Sequence, residues 1–470
     1  MSQSATPAND ASTVHGDLPP GYRARRGQNW ILLGLTYASY YLCRYNLSPI
    51  APELMRDLNL DKSQYGKINS GRDGAYAVGQ MVNGLFTDRL GGKRALLIGA
   101  LGTVALNFVF GLVAWSSLPG MLTLLVLIRS ADGYIQAFGA PGFIKINTAW
   151  FRRRERGALA GIFGAMINLG AIGAGQLARL LASGFAVPLL VVTLTVPKMD
   201  WRYLFIIPPI AVLFIVILMY LGVKNTPEEA GYEIQHDDEP PDDSTERVRL
   251  RDVFRKIASN PTVWIVAGAY FCTGFVRRAI ESWWAIYLDE IWHVGKDSSL
   301  FAAFAWGLPI TATVGSMASG YISDLLFAGR RAPVAAVLYL LQVVMTALVL
   351  MVPHGGTASA ALAVTLIIGV SMMCNSTHSI LGTAAAMDLG GRKMAGCSAG
   401  IIDSFQYYGA LLSGWGLGEL FIYVARDSGV DGGPISPTIW IGSMLPFGLI
   451  GAGLMTYLWL KNRGKRVAGA

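Results

Sequence analysis

The sequence predicts an all-α polytopic membrane protein with twelve transmembrane helices in two pseudo-symmetric six-helix bundles. Three observations lead there. Apolar residues make up 53% of the 470-residue chain and charged residues only 14%, too few to clothe a soluble protein of this size. Runs of about 20 apolar residues, the length needed to cross the hydrocarbon, recur from end to end. One loop string also occurs twice, at matching places in the two halves of the chain.

The apolar runs begin near Trp30, Ile68, Ala95, Leu122, Ala158, Tyr203, Val263, Leu300, Val334, Ala360, Gly396 and Trp440. Residues 1–28 are polar and rich in Ser, Pro, Asp and Arg, so a disordered cytoplasmic tail without a cleavable signal is expected there. Residues 29–223 form the first bundle and 261–460 the second; 224–260 is a charged, Pro-containing cytoplasmic linker, and 461–470 is a second tail. Between Leu177 and Asp200 the string "AVPLLVVTLTVP" is too short to span and is read as an extended connection against the outer surface.

Lysine and arginine set the orientation. "RARR", "DRLGGKR", "FRRRERG", "GRR", "GGRK" and "KNRGKR" alternate with the cation-poor "WSSLPG", "PHGGT" and "RDSGVDGG". An even number of spans then puts both termini in the cytoplasm. The formal charge of +8 lies mostly in these short connections and not on one folded face, which argues against nucleic-acid binding. Cys43, Cys272, Cys374 and Cys397 lie in or beside apolar runs without metal or disulfide spacing, and read as buried hydrophobes. No nucleotide-cradling glycine loop and no nucleophile–base pair stands out, so no cofactor, metal or enzymatic activity is expected.

"GLFTDRLGGKR" follows the second run and "GYISDLLFAGRR" the eighth, a repeat that marks a duplicated transporter bundle. Here the chain resembles the major facilitator superfamily. The resemblance implies a cytoplasmic gate at Asp88, Arg89 and Arg94, with Asp324 in the second copy. Further strings resemble the organophosphate:phosphate antiporters of that superfamily: "YYLCRYN", "GYIQAFGAP", "ERGALAG", "NTPEEAGY" and "RRAIESWWAIYL". Together they cover nearly all of residues 28–460. Two positions depart from the pattern: Tyr45 stands where bacterial members usually have lysine, and Ile167 where glycerol-3-phosphate members have histidine. A neighbouring family of anion:cation symporters shares part of the first string, but its two acids correspond to Cys43 and Gln136 here, which favours exchange over symport.

Arg44 interrupts the first apolar run and Arg277 the seventh, each about 14 residues in, or about 21 Å along a helix. A cation in mid-bilayer survives chiefly when it faces a cavity or a partner. In a duplicated bundle the two should face each other across the centre, and paired guanidinium forks suit a phosphate dianion. Other readings stay open: a structural ion pair for Arg44, and an i,i+4 pair with Glu281 for Arg277. Arg278, about 100° round the helix, is assigned to structure. Lys145 either lines the cavity or snorkels to the interface. Arg72 and Asp73 read as an external gate or as interfacial. Asp403 reads as neutralising Lys145 or Arg278, or as selecting substrate. Tyr41, Tyr45, Gln136, His378 and Tyr407 are candidate substrate contacts, although aromatic packing and a satisfied histidine are the commoner outcomes.

The expected function is exchange of an organophosphate (glycerol-3-phosphate, a hexose phosphate or a phosphoglycerate) for inorganic phosphate by alternating access. The expected setting is a monomer in a bacterial inner membrane. Two other functions fit the same residues: a proton-coupled organic-anion symporter, in which Asp403 or Glu281 would couple, and a non-transporting sugar-phosphate sensor.

Overall fold

The computed structural model describes residues 19–116, 118–151, 156–189, 192–232, 259–327, 330–385, 402–427 and 435–461. Among them run twelve long helices. The first half holds α1 (Tyr22–Arg44), α2 (Lys62–Leu90), α3 (Gly92–Trp115), α4 (Met121–Trp150), α5 (Arg156–Ser183) and α6 (Trp201–Gly222). The second holds α7 (Pro261–Trp292), α8 (Ser299–Phe327), α9 (Arg331–Leu350), α10 (Gly356–Gly382), α11 (402–427) and α12 (Pro437–Lys461). Eight of these are long and apolar enough to cross a membrane by composition alone. The other four, α1, α2, α5 and α11, complete two six-helix bundles. Leu112, Phe214, Met317 and Leu326 stay exposed on the outside, where lipid would cover them.

The packing of one half repeats in the other. Within the first, α2 packs on α4, α1 on α6 and α3 on α6; within the second, α8 packs on α10, α7 on α12 and α9 on α12. The seams between halves follow the same symmetry, with α2 against α11 and α5 against α8. Local sequence sets the helix ends. Asp61 and Gln64 form a reciprocal capping box at the start of α2. Asn260 caps α7 just before Pro261, a residue suited to the first helical turn.

α1 ends early, at Arg44. Pro49 has no N–H for the carbonyl of Tyr45, and its ring excludes helical backbone there. The chain passes through Ser48–Ile50 as a 3₁₀ turn and resumes as a short helix, Ala51–Asp57.

Two connections differ from the sequence reading. The stretch after α5 is extended, but it pairs with itself: β1 (Phe185–Leu189) and β2 (Val192–Val196) form an antiparallel hairpin. Residues 224–232, expected to belong to the linker, pack on the first half. The Lys224 amide donates to Asn29 at 2.8 Å, Trp150 Nε1 donates to the Lys224 carbonyl at 3.0 Å, and Tyr232 meets Tyr22 edge-on at 5.4 Å. The rest of the linker as far as 258, the start of the eleventh run near Gly396, and both tails except for residues 19–28 and Lys461 lie outside the described residues.

We call the face bearing the "DRLGGKR" connection the basic face. Polar contacts between the halves gather on the opposite face. Arg56 reaches Asp289 at 2.7 Å, Lys62 reaches Glu290 at 3.2 Å, Lys67 reaches Glu419 at 3.0 Å and Lys296 reaches Glu53 at 2.6 Å. Burial draws the Lys296 amine below the usual lysine range, and the Glu53 carboxylate opposes that shift. Deeper in, Tyr65 donates to the Ser282 carbonyl at 2.9 Å and Ser70 to the Leu411 carbonyl at 2.7 Å.

Glycine allows the α2–α11 seam to close. A Cβ on Gly66 would lie 2.3 Å from the Gly414 carbonyl oxygen, a backbone atom that cannot step aside. Gly66→Val should therefore pry the halves apart on this face, and overpacking of this kind typically costs about 1–3 kcal/mol. A cysteine placed at Ser63 should react faster with a membrane-impermeant thiol reagent in the Gly66→Val background. An unchanged rate would show that the seam is not what holds the face shut.

Candidate functional site

The broken end of α1 organises the centre. The Arg44 carbonyl, in the last turn, accepts from Arg72 Nη1 at 3.4 Å and from Arg129 Nη2 at 3.2 Å. Each donor has a carboxylate of its own: Arg72 Nη2 lies 2.5 Å from Asp73, and Arg129 Nη1 lies 3.3 Å from Asp132. Asp132 in turn accepts from Gln136 Nε2 at 3.0 and 3.1 Å, and Gln136 Oε1 accepts from Arg44 Nε at 2.9 Å. Gln136 therefore orients Arg44 and is not one of the residues lining the cavity.

The Arg44 side chain is 5% exposed and its guanidinium lies over the rings of Tyr41, at 4.6 Å, and Tyr76, at 4.2 Å. Among the described residues no carboxylate stands within ion-pair distance of it, and its Nη1 and Nη2 make no hydrogen bond.

Arg277 is held differently. Its Nε donates to Glu281 at 2.8 Å, so the i,i+4 pair forms. Its Nη2 donates to the Tyr45 hydroxyl at 3.2 Å, and that hydroxyl donates to Glu281 at 3.2 Å. Its Nη1 stands 3.3 Å from His378 Nε2. A guanidinium can only donate, so this geometry assigns the His378 proton to Nδ1. The Tyr270 hydroxyl is 2.9 Å from the same Nε2. His378 thus supports Arg277 and is not among the residues lining the cavity.

Arg278 crosses between the halves. Its Nη2 donates to Asp73 Oδ1 at 2.8 Å, and its Nε lies 2.8 Å from Oδ2 at an angle that makes a charge contact, not a hydrogen bond. Its Nη1 donates to Glu281 at 3.1 Å. The structural role expected for Arg278 is therefore an inter-half ion pair. Arg72 and Asp73 are buried beside it, 3% and 1% exposed.

Arg44 and Arg277 line one small cavity, about 280 Å3 of space between atoms, with Tyr45, Gly274, Arg278, Glu281, Gln406, Tyr407 and Ala410. The Tyr407 ring packs on Tyr76 at 4.5 Å. Two expectations need correction. Lys145 Nζ donates to the Thr87 carbonyl at 3.3 Å, near the end of α2 on the basic face, so its long chain has snorkelled away from the centre. Asp403 accepts from Gln406 at 2.8 Å, while Arg278 is neutralised by Asp73 and Glu281. Arg89 and Arg94 are exposed on the basic face; the side chains of Asp88 and Asp324 lie outside what the structure describes, as does that of Ile167. The sequence reading passed over Arg129 and Asp132. A cation and an acid at i,i+3 inside "LIRSADGYIQ" carried the same signal as Arg44.

Breaking the inter-half pair should be costly, because Asp73 and Arg278 are both buried. Removing one partner of a buried pair costs about 3–5 kcal/mol, whereas removing both no longer orphans the Arg278 charge but still leaves Arg72 without its carboxylate. Asp73→Asn and Arg278→Gln should each lower the thermal unfolding midpoint in detergent, and the double variant should recover part of that loss. Additive losses would argue that the two side chains act independently.

Residues 33–414 match the sequence model of the Major Facilitator Superfamily. Over 399 residues the chain is 28% identical to the glycerol-3-phosphate transporter of Bacillus subtilis (strain 168), covering 83% of this chain and 84% of that protein. Over 432 residues it is 26% identical to a probable hexose phosphate transport protein of Chlamydia trachomatis, covering 87% of each. Among solved structures, a bacterial homolog of the human lysosomal transporter Spinster superposes with a TM-score of 0.68 at 14% identity, over 93% of this chain and 97% of that one.

Proposed function

The chain belongs to the Major Facilitator Superfamily, and from that premise we propose that it is a secondary transporter exchanging an organophosphate for inorganic phosphate across a bacterial inner membrane. The observation that carries this reading is the Arg44 guanidinium: buried, lining the cavity, with no carboxylate partner and with both terminal nitrogens free of hydrogen bonds among the described residues. Around it, five guanidiniums (Arg44, Arg72, Arg129, Arg277, Arg278) meet three carboxylates (Asp73, Asp132, Glu281) in one network. Such a site lacks an anion, and a phosphate dianion supplies the missing charge in a form that a guanidinium fork binds edge-on. The names of the two relatives support the same substrate class.

In this mechanism the phosphate end of the substrate lies between Arg44 of the first half and Arg277 of the second. It draws the halves together over itself, and the seam on the opposite face gives way as the basic face closes. We place the basic face in the cytoplasm, with both termini, and assign Asp88, Arg89, Arg94 and Asp324 to gating there. Without an anion, the network keeps its excess positive charge, so closing the empty cavity is disfavoured. Exchange then follows, because the loaded carrier crosses more readily than the empty one.

Arg44→Lys and Arg277→Lys should each weaken inorganic phosphate binding at least tenfold by calorimetry. Lysine keeps the charge but loses the fork; a lost charge-assisted hydrogen bond costs roughly 1.5–3 kcal/mol, and 1.4 kcal/mol is a factor of ten. Wild-type affinity in either folded variant would remove the two-arginine site.

Proteoliposomes preloaded with phosphate should take up labelled organophosphate, and phosphate-free vesicles should take up little, with or without a pH gradient. Proton-driven uptake into phosphate-free vesicles would establish symport instead. Tight binding without flux in any arm would mark a sensor.

A further inference from the structure

A second, larger chamber adjoins the cationic cavity. It holds about 600 Å3 of space between atoms, part of it open at the rim, and lies between the break after α1 and helices α5, α7, α8 and α10. The two share Tyr45, Arg277 and Glu281 as a common wall. This chamber is one direction in which a group held by its phosphate at Arg277 can extend. That direction is chemically distinct from the cationic cavity.

Its polar groups offer acceptors. Asn375 Nδ2 donates to the Ser371 carbonyl at 2.8 Å, and a carbonyl can only accept, so the orientation of this amide is fixed. Asn375 Oδ1 is then the open end, with no hydrogen bond among the described residues. Ser371 Oγ accepts from Asn375 at 3.2 Å, which leaves its own O–H to donate elsewhere. Asn168 spends one amide group on Thr313 at 2.6 Å and keeps the other free. Pro309, inside α8, deprives the Ala305 carbonyl of its helical donor, and both residues line the chamber. On the shared wall Glu281 adds a negative charge.

The remaining lining is apolar and rigid. Trp284 is fixed by stacking on Phe304, with ring centroids 5.0 Å apart, and Leu308 of α8 belongs to the same lining. Neutral acceptors, with the single Ser371 hydroxyl donor, over an apolar wall match the alternating O–H and C–H surface of a sugar. They mismatch a carboxylate, which would bring a second anion against Asn375 Oδ1 and Glu281 with no cation of the chamber's own besides the shared Arg277.

We propose that this chamber receives the organic part of the substrate and selects an uncharged, polyhydroxylated group of sugar size, so that hexose phosphates are preferred and phosphoglycerates rejected. The inference rests on the organophosphate reading above and adds the substrate class. Arg277 fixes the phosphate end, the chamber reads the hydroxyls, and the acceptor-rich wall excludes a second acid. A site built to hydrogen-bond hydroxyls discriminates most strongly against ligands that cannot supply them.

The test is displacement of labelled inorganic phosphate from the purified full-length protein by glucose-6-phosphate, glycerol-3-phosphate and 3-phosphoglycerate. Glucose-6-phosphate should compete at least tenfold better than 3-phosphoglycerate, with glycerol-3-phosphate between them. Asn375→Leu should remove most of that advantage while phosphate affinity stays within about twofold, which also reports that the variant is folded. Asn375→Ser serves as the milder variant should leucine not be accommodated, with the same direction expected. Equal or better competition by 3-phosphoglycerate would overturn the inference while leaving the phosphate site standing. So would an equal loss for every ligand, phosphate included, in Asn375→Ser. Absence of phosphate binding in the wild type would overturn both this inference and the organophosphate reading.

Discussion

Pro49 ends α1 inside its apolar run, and the charge arrangement of the interior follows from that break. A helix end leaves carbonyls without donors, and hydrocarbon has no water to supply them. Here the Arg44 carbonyl takes N–H groups from Arg72 and Arg129. Those cations require carboxylates, which Asp73 and Asp132 provide. Asp132 aligns Gln136, Gln136 aligns the Arg44 side chain, and Asp73 reaches across to Arg278. One backbone interruption therefore ties both halves and the cavity into a single hydrogen-bonded network.

The duplication is not carried through to this level. α7, the counterpart of α1, runs unbroken from Pro261 to Trp292, and its arginine is neutralised within the helix by Glu281 one turn on. Arg44 instead has a neutral amide and two tyrosine rings. Its charge is solvated by dipoles and quadrupoles but not cancelled. The two guanidiniums are thus unequal: Arg44 holds the uncancelled charge, while Arg277 shares its carboxylate with Arg278. In the proposed exchange an incoming anion would gain most from the first and compete with Glu281 for the second.

The twelve helices and their two-half arrangement were legible because bilayer thickness imposes a length on every span, and the cost of an intramembrane cation marked Arg44 and Arg277. What failed was assignment of partners. Charge pairing depends on which helix faces which, and helical spacing within one span does not carry that. Asp403 was matched to Lys145 or Arg278 by depth, yet Asp73, on α2, lies closer to Arg278 and takes it. Lys145 was ambiguous in principle, since a four-carbon stem reaches either the cavity or the interface. Arg129 and Asp132 could have been read by the rule that found Arg44, because a charged pair three residues apart inside an apolar run requires a buried explanation as much as a lone cation does. The chamber residues Asn168, Ser371 and Asn375 carried no signal at all: polar residues are common in such helices, and only the meeting of α5, α8 and α10 gives them a shared purpose.

Glu281 is where occupancy of the cavity meets closure of the opposite face. It accepts from Arg277, Arg278 and Tyr45, and its backbone carbonyl accepts from Ser48 of the first half. Tyr45 and Ser48 belong to the break after α1; Arg278 belongs to the inter-half pair with Asp73. A ligand can shift a conformational equilibrium only by binding the two states unequally. An anion between Arg44 and Arg277 meets that condition, because its two cations sit on different halves and their spacing changes when the halves rock. Glu281 would meet it in the opposite sense, since its bonds to Tyr45 and Ser48 join the two halves here, where this face is shut. In the proposed exchange the carboxylate and the anion would compete for the same guanidinium, and that competition would couple loading to movement of the halves.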